Sequence, residues 1–251
     1  MREGDGSVTP AGVIIAAAEN NGRAAVIDRW VLANTLKWLE RHHEALASTR
    51  FVTMNLSGAS LNDEKFVQDA FAMLREHPRA VQRLCVEITE GVALHDLDNT
   101  RRFIDRVRGY GARLALDDFG AGYTSFSYLK ELPADALKID GSFIKGVNAH
   151  PANLAIVEAI VELGRNFGMQ TIAEWAEDRA TVESLAQIGV DYVQGYAIAR
   201  PQESAKLLGA ASAASFITDP EVLRYVSETL APSRALESWE PPADSMRSGM
   251  H

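Results

Sequence analysis

Cysteine is nearly absent from this sequence: Cys85 is the single thiol in 251 residues, so no disulfide can form within the chain. It sits in the apolar run Leu84-Cys85-Val86, where a thiol acts as a small hydrophobe rather than a nucleophile. Long apolar runs are lacking too. The longest near the start, residues 13–18, is far short of the roughly 20 residues that span a bilayer, and it has neither the basic flank nor the cleavage site of a signal peptide. No membrane segment and a cytoplasmic location are therefore expected. No cluster of Lys and Arg occurs and the net charge is −9, which argues against a nucleic-acid polymer as partner, since phosphate neutralisation needs grouped cations. The six histidines show no H-x-x-x-H or H-E-x-x-H spacing, and the pair His42-His43 falls on a charged helical pattern, so it is assigned to the surface and no zinc site is predicted.

What remains is ordinary soluble material. A chain of this length with 47% hydrophobic and 24% charged residues suits one domain with a substantial core, and a single α/β barrel would fit. A small anionic ligand stays possible if metal ions supply the positive charge.

The chain is organised around residues 112–125, Ala-Arg-Leu-Ala-Leu-Asp-Asp-Phe-Gly-Ala-Gly-Tyr-Thr-Ser. This reads as a short apolar strand ending in two adjacent carboxylates, then a glycine-punctuated turn, then Thr124 or Ser125 as a helix N-cap. Adjacent acids at a strand end repel each other and lose hydration, which points to a cation. The helix after the turn would aim its N-terminal N–H groups at the same place, suiting a phosphate. Taken alone, Asp-Asp could equally be a turn and capping signal.

Helical patterns are predicted over residues 11–19 and 25–42, with no strand before residue 50. From there a rhythm sets in. Short apolar runs lead in turn to Asn55, Glu87, Asp117, Lys138, Glu174 and Gln194, with helical patterns at 64–76, 98–110, 154–167 and 179–187 between them. The polar residues recur at intervals of roughly 20 to 36 positions, as expected where helices cross over a parallel sheet. In a (β/α) barrel, the C-terminal ends of the strands converge on one mouth. Several oxygen donors plus one Lys at that level favour Mg2+ or Mn2+ over zinc or redox metals. Only about six strands can be found where a closed barrel of this type needs eight. Residues 205–215 and 220–230 read as further helices, and 231–251 as a disordered or peripheral tail.

These segments resemble the EAL domain, the bacterial phosphodiesterase module that acts on cyclic di-GMP. The resemblance is carried, in family order, by Asn55-Leu56-Ser57, Glu87-Ile88-Thr89-Glu90, Asp117-Asp118-Phe119-Gly120-Ala121-Gly122-Tyr123, Leu137-Lys138-Ile139-Asp140, Ala173-Glu174-Trp175-Ala176-Glu177 and Gln194-Gly195-Tyr196. It implies a TIM-type barrel over 1–205 with a C-terminal helical extension over 206–251, and hydrolysis of cyclic di-GMP to linear pGpG with two Mg2+ or Mn2+ ions. By the same resemblance Asn55, Glu87 and Asp117 match ligands of one metal, and Asp117, Asp118 and Glu174 lie toward the second. Lys138 matches the lysine that orients the attacking water, and Glu174 is also a candidate base. Gln194, near the metals and their water, and Asp140 are assigned to substrate binding. Glu90 matches the acid that steadies the loop after its strand, a loop linked in the family to dimerisation, so a homodimer through that loop and the helix near 145–167 is expected. Two cations held about 3.5–4 Å apart by carboxylates can activate water and stabilise the leaving oxygen of an in-line displacement.

The sequence also departs from the family. The Glu-Ala-Leu strand, whose Glu completes the first metal's shell, and the Leu-x-Arg after it do not occur. Residues 1–6 resemble the loop that follows that strand, so the first strands are expected to be missing and the barrel incomplete at its N-terminus, with Arg2 a candidate substitute for the lost Arg. Ala121 replaces a common Thr, and Trp175 a usual Gly or aromatic. Two readings stay open: an active phosphodiesterase, or a degenerate EAL domain that binds cyclic di-GMP or a protein partner without hydrolysis. A third, Lys138 as a Schiff-base lysine, is disfavoured because the surrounding acids would keep it protonated. Whether a cyclase, receiver or sensor domain is fused upstream is left open. A barrel short of strands leaves two unpaired edges and an exposed apolar interior, so the isolated chain is expected to be poorly soluble or oligomeric; a monodisperse monomer by light scattering, with a sharp melt, would contradict this.

Overall fold

The computed structural model describes residues 9–122 and 126–230. The expectations placed on Arg2, on a cap at Thr124 or Ser125, and on the tail from Ala231 lie outside those residues.

Among the described residues two helices come first, α1 (Ala11–Asn20) and α2 (Ala24–Arg41), before strand β1 (Val52–Asn55). Then come α3 (Gly58–Leu61), α4 (Glu64–Glu76), α5 (Pro78–Val81) and β2 (Leu84–Thr89), followed by α6 (Glu90–His95), α7 (Leu97–Gly109) and β3 (Arg113–Phe119). A 3-10 turn, Phe126–Lys130, leads to β4 (Ala136–Ile139), α8 (Gly141–Ile144), α9 (Pro151–Phe167) and β5 (Gln170–Ala173). The chain continues with α10 (Arg179–Ile188), β6 (Tyr192–Val193), α11 (Ser204–Leu208) and α12 (Pro220–Tyr225). Helix starts are fixed by side-chain caps: Asp63 accepts from Phe66 N, Asp96 from Asn99 N and Asp178 from Thr181 N, satisfying N–H groups that have no partner within the helix.

Among the described residues there are six strands, all parallel and in sequence order, β1-β2-β3-β4-β5-β6. They form the curled, incomplete TIM-type barrel that the strand count implied. Side chains alternate between its two faces. Met54, Leu84, Val86, Ile88, Leu114, Leu116, Leu137 and Ile139 pack outward into the main core beneath the helices. Cys85, Ala115, Ala136 and Ile172 face inward as a second cluster, against Phe51 and Tyr192.

That inner cluster corrects one expectation. The edges β1 and β6 have no outer strand partner among the described residues, but the apolar interior is not left open: Cys85, Ala115, Ala136 and Ile172 are all buried. Phe51, just before β1, and Tyr192, in β6, meet edge to face with centroids 5.2 Å apart. Arg50 also donates to the Tyr192 hydroxyl at 3.3 Å. Two large rings from opposite ends of the sheet thus fill the space at the bottom of the barrel.

Three further readings change. The turn after Asp117-Asp118 leads to the 3-10 segment and not to an α-helix, because Pro133 blocks helical continuation shortly afterwards. Residues 205–215 divide into α11 and a 3-10 turn at Ala213–Phe216, with Gly209 ending the first. Finally, α2 stops at Arg41, and His42 and His43 are half-buried, the His42 ring lying 5.5 Å from Trp38.

The helix-side core should carry most of the stability. Leu114→Ala, at a fully buried position, is expected to lower unfolding free energy by about 2–5 kcal/mol in denaturant titration, whereas Val13→Ala, at an exposed one, should change it by less than about 0.5 kcal/mol.

Candidate active site

The inward positions change character toward the C-terminal ends of the strands. One step beyond the apolar layer of Cys85, Ala115, Ala136 and Ile172 stand Glu87, Asp117, Lys138 and Glu174, brought to one level by the parallel register. The Lys138 ammonium lies 2.9 Å from Glu87 Oε2, 2.9 Å from Asp117 Oδ1 and 2.8 Å from Glu174 Oε1. Lys138 and Glu87 are almost fully shielded, with side chains 4% and 3% exposed.

Asp118 joins this group through a backbone irregularity. Successive side chains of a strand point to opposite faces, yet carboxylate oxygens of Asp117, Asp118 and Glu174 lie within 4.8 Å of one another. The register breaks between Leu116 and Phe119, and Asp118 takes a left-handed φ of 53°. Its amide donates to Asp117 Oδ1 at 3.1 Å. The bulge turns a residue of outward parity into the mouth.

One ammonium faces four carboxylates, and the imbalance appears in their proton affinities. Burial pushes Glu87 above its ordinary value, against the opposing pull of Lys138. Glu174 is raised by burial, with Lys138 opposing and Asp117 and Asp118 adding to the rise. Asp118 is raised by burial and then by Asp117 and Asp140. For Lys138 burial acts to lower the value, but the carboxylates outweigh it and hold the ammonium charged. Two like charges 4–5 Å apart repel by roughly 3–4 kcal/mol at an effective dielectric near 20, less for the exposed Asp118. Among the described residues the cluster is thus short of positive charge.

Hard-oxygen donors and one particular atom fit a divalent cation here. Glu87 Oε1 is buried without a hydrogen-bond partner among the described residues; the nearby Thr53 hydroxyl favours the charged carboxylate but does not satisfy that oxygen. A buried carboxylate oxygen without a donor is costly, and Mg2+ or Mn2+ takes such ligands.

The other predicted residues fall around this centre. Asn55 pairs in register with Glu87 and is exposed on the edge strand. Beyond β5, Gln194 N donates to Ala173 O at 2.8 Å and Gln194 O accepts from Ala176 N at 3.1 Å. Gln194 lines a cavity of about 270 Å³ with Glu174, Trp175, Glu177, Gly195 and Tyr196. Gly195 is needed there: a Cβ would stand 2.1 Å from the Ala176 carbonyl oxygen. Asp140 caps α8, accepting from Ser142 N at 2.9 Å, and reaches the cluster only through its field on Asp118. Glu90 is buried; its oxygens accept from Gly120 N at 3.0 Å and from the Tyr128 hydroxyl at 2.5 Å. It therefore ties down the turn after the neighbouring strand β3, not a loop after its own strand. Cys85 lies in the apolar layer below, its thiol pushed upward by burial and by Glu87, and is inert.

Thr53 belongs to the setting but stands outside the matched segments, while Glu177 and Tyr196 stand inside those segments with no site role assigned to them. Thr53 shares the inward parity of Asn55, a signal that was available. Glu177 and Tyr196 lie beyond the strand ends, where alternation no longer indicates direction.

Comparison with known proteins agrees with this geometry. The family model described as EAL domain matches residues 1–201. The cyclic di-GMP phosphodiesterase PdeB of Shewanella oneidensis is 36% identical over 202 residues, 80% of this chain and 24% of that protein. The bifunctional diguanylate cyclase/cyclic di-GMP phosphodiesterase MucR of Pseudomonas aeruginosa is 33% identical over 207 residues, 81% of this chain and 30% of that protein. The chain thus spans between about a quarter and a third of the length of these relatives. Among solved structures, the PaMucR phosphodiesterase in complex with c-di-GMP superposes with a TM-score of 0.76 at 30% identity, covering 82% of this chain and 83% of that one. The FimX EAL domain of Pseudomonas aeruginosa bound to c-di-GMP gives 0.72 at 26% identity, covering 80% and 81%. No helix among the described residues is long and apolar enough to cross a membrane.

The raised carboxyls give a pH dependence of definite sign. Without divalent cation, Glu87 and Glu174 hold protons to higher pH in the folded state than in the unfolded chain, where they titrate near 4.5. Their stabilising contribution is complete below that pH and is lost as pH rises through the folded values. The cation-free protein should therefore lose this contribution as pH rises above the ordinary carboxylate range. Mn2+ at 100 times its Kd should restore about 2.7 kcal/mol at the upper end of that rise and far less at the lower. Thermal melts showing an equal Mn2+ effect at both ends would contradict this.

Proposed function

From the premise that the chain belongs to the EAL domain family, we propose that it is a divalent-metal-dependent phosphodiesterase that opens cyclic di-GMP to linear pGpG. The observation that carries this reading is the convergence of Glu87, Asp117 and Glu174 on the Lys138 ammonium, with Asp118 alongside. Asn55, Glu87 and Asp117 would hold one cation, and Asp117, Asp118 and Glu174 a second. When bound, the cations supply charge neutralisation at the phosphate and a more acidic water.

The chain's own residues account for the rest of the chemistry. Water oxygen forms a bond to phosphorus in line with the departing ribose 3′-oxygen, and the P–O3′ bond breaks. Glu174, at 2.8 Å from the Lys138 ammonium and on the wall of the adjoining cavity, takes the proton from the attacking water. Lys138 is held charged by its three carboxylates, which face all three of its N–H groups; with those carboxylates drawn to the cations, one N–H would turn to the water, orient it and stabilise charge as it develops. The 3′-oxygen leaves with a proton from solvent. The 5′-phosphate remains on the linear dinucleotide. Gln194, on the wall of the adjoining cavity, is suited to contact the dinucleotide, and Asp140 reaches it only by its field.

A second reading draws on a different observation: Asn55 lies exposed on an edge strand, which leaves one side of the first cation's shell open to water. A site weakened there would bind cyclic di-GMP without cutting it. The homodimer suggested by the family would rest on the region following Glu87 to Glu90 and on the helix near 145–167, and is part of the same proposal, as are cytoplasmic location and fusion to a cyclase or sensor domain.

Purified chain incubated with cyclic di-GMP and Mn2+ should release pGpG, followed by chromatography. Lys138→Ala and Glu174→Gln should each reduce kcat by about 100-fold or more, with little change in ligand affinity. Ligand binding without turnover by the unaltered chain would favour the receptor reading; neither binding nor turnover would overturn both.

A further inference from the structure

Trp175 follows Glu174 directly and adopts φ 57°, a region that a bulky side chain occupies only where its surroundings hold it there. Its indole rests on Gly141: a Cβ at that position would stand 2.2 Å from the indole Cδ1 and 2.5 Å from Cγ, so only glycine admits the ring. Lys145 places its ammonium 3.9 Å from the ring centre, a cation–π contact. Gly141 and Lys145 begin and cap α8, joined by Lys145 N donating to Gly141 O at 2.8 Å. Gly141 lies three residues after Lys138.

The pairing of β4 with β5 ends at Ile139 and Ala173. Glu174 lies beyond the last rung, where no further β4–β5 ladder contact fixes it relative to Lys138. Besides the Lys138–Glu174 ion pair itself, the two segments meet past that rung where the indole lies on Gly141. More than half of the Trp175 surface is exposed, so core packing does not account for a side chain of this size in a left-handed conformation.

We propose that Trp175 is a positioning residue, a brace from the loop after β5 to the turn after β4 that keeps Glu174 in its contact with Lys138. This rests on the reading that Glu174 and Lys138 perform the chemistry. The indole touches neither reacting group; it acts by limiting where the Glu174 backbone can go.

Two perturbations reach the brace from opposite ends. Trp175→Gly removes the ring and relieves the left-handed backbone, so folding is retained. Gly141→Ala keeps Trp175 but displaces the ring. Each should accelerate hydrogen exchange of the Ala176 amide, which donates to Gln194 O. Each should also weaken Mn2+ binding, measured by calorimetry without substrate, by about 10-fold or more, as loss of outer contacts around a metal site does. The double variant should be no worse than Trp175→Gly alone, and Trp175→Phe should restore most of both properties. On cyclic di-GMP kcat should fall in both single variants; the Trp175 ring also lines the cavity beside Gln194, so KM is not the readout of the brace. Unchanged Ala176 exchange in both single variants, additive losses in the double variant, or unchanged Mn2+ affinity would each overturn the proposal. If the unaltered chain neither binds Mn2+ nor hydrolyses cyclic di-GMP, the functional reading fails, and the Ala176 exchange comparison, which needs no ligand, still decides whether the brace exists.

Discussion

The Lys138 ammonium, enclosed by Glu87, Asp117 and Glu174 at 2.8–2.9 Å, is the contact on which the arrangement at the barrel mouth depends. Removing an ammonium and three carboxylates from water costs several kcal/mol per charge, and mutual attraction offsets that only where geometry and hydrogen bonding are good. One lysine cannot satisfy all of these acids, as the orphaned Glu87 Oε1 and the raised Glu87 and Glu174 carboxyls attest. A protein selected for stability alone would have little use for that surplus of negative charge. It makes sense where cations and a phosphate complete the site.

The barrel makes this affordable by dividing its interior into layers. At the level of Cys85, Ala115, Ala136 and Ile172 the inward side chains are apolar and mostly small, and Phe51 and Tyr192 close the space from the two edge strands. One inward position further on, the same four strands or their ends carry Glu87, Asp117, Lys138 and Glu174. The apolar floor keeps water from entering from below. This strengthens electrostatic interactions in the layer above. The charged layer therefore depends on the floor, and the floor on two aromatic residues that close the gap between β1 and β6.

How much of this was legible in the sequence follows from the same periodicity. Each strand ends close to the polar residue that marks it, because an apolar run broken by Asn55, Glu87, Asp117, Lys138, Glu174 or Gln194 records a change of environment along one inward row. Helices with a strong apolar face, such as α4 and α7, were equally readable. Positions set by contacts between distant segments were not. Nothing local to Glu90 says that its carboxylate reaches Gly120 and Tyr128, nothing local to Phe51 says that it will meet Tyr192, and the 3-10 turn before β4 depends on how Pro133 limits a short connection. Asp118 is the sharpest case. Simple alternation assigns it to the outer face, and only the bulge brings it to the mouth.

Asp118 and Trp175 are the non-glycine residues with left-handed backbone among the described ones, and both flank Glu174. Such conformations cost of order 1–3 kcal/mol each and persist only where the surroundings over-determine them. At Asp118 the result is a further carboxylate beside Asp117 and Glu174. At Trp175 it is an indole lying across Gly141, beyond the end of the β4–β5 ladder. Each departure from regular backbone occurs where the strand geometry alone would not deliver the site: the strand cannot present two successive side chains to one face, and the ladder cannot constrain a residue past its last rung. The strain is therefore concentrated where it changes the position of a functional group, while the apolar layer and the helix-side core, which need only regular alternation, have none of it.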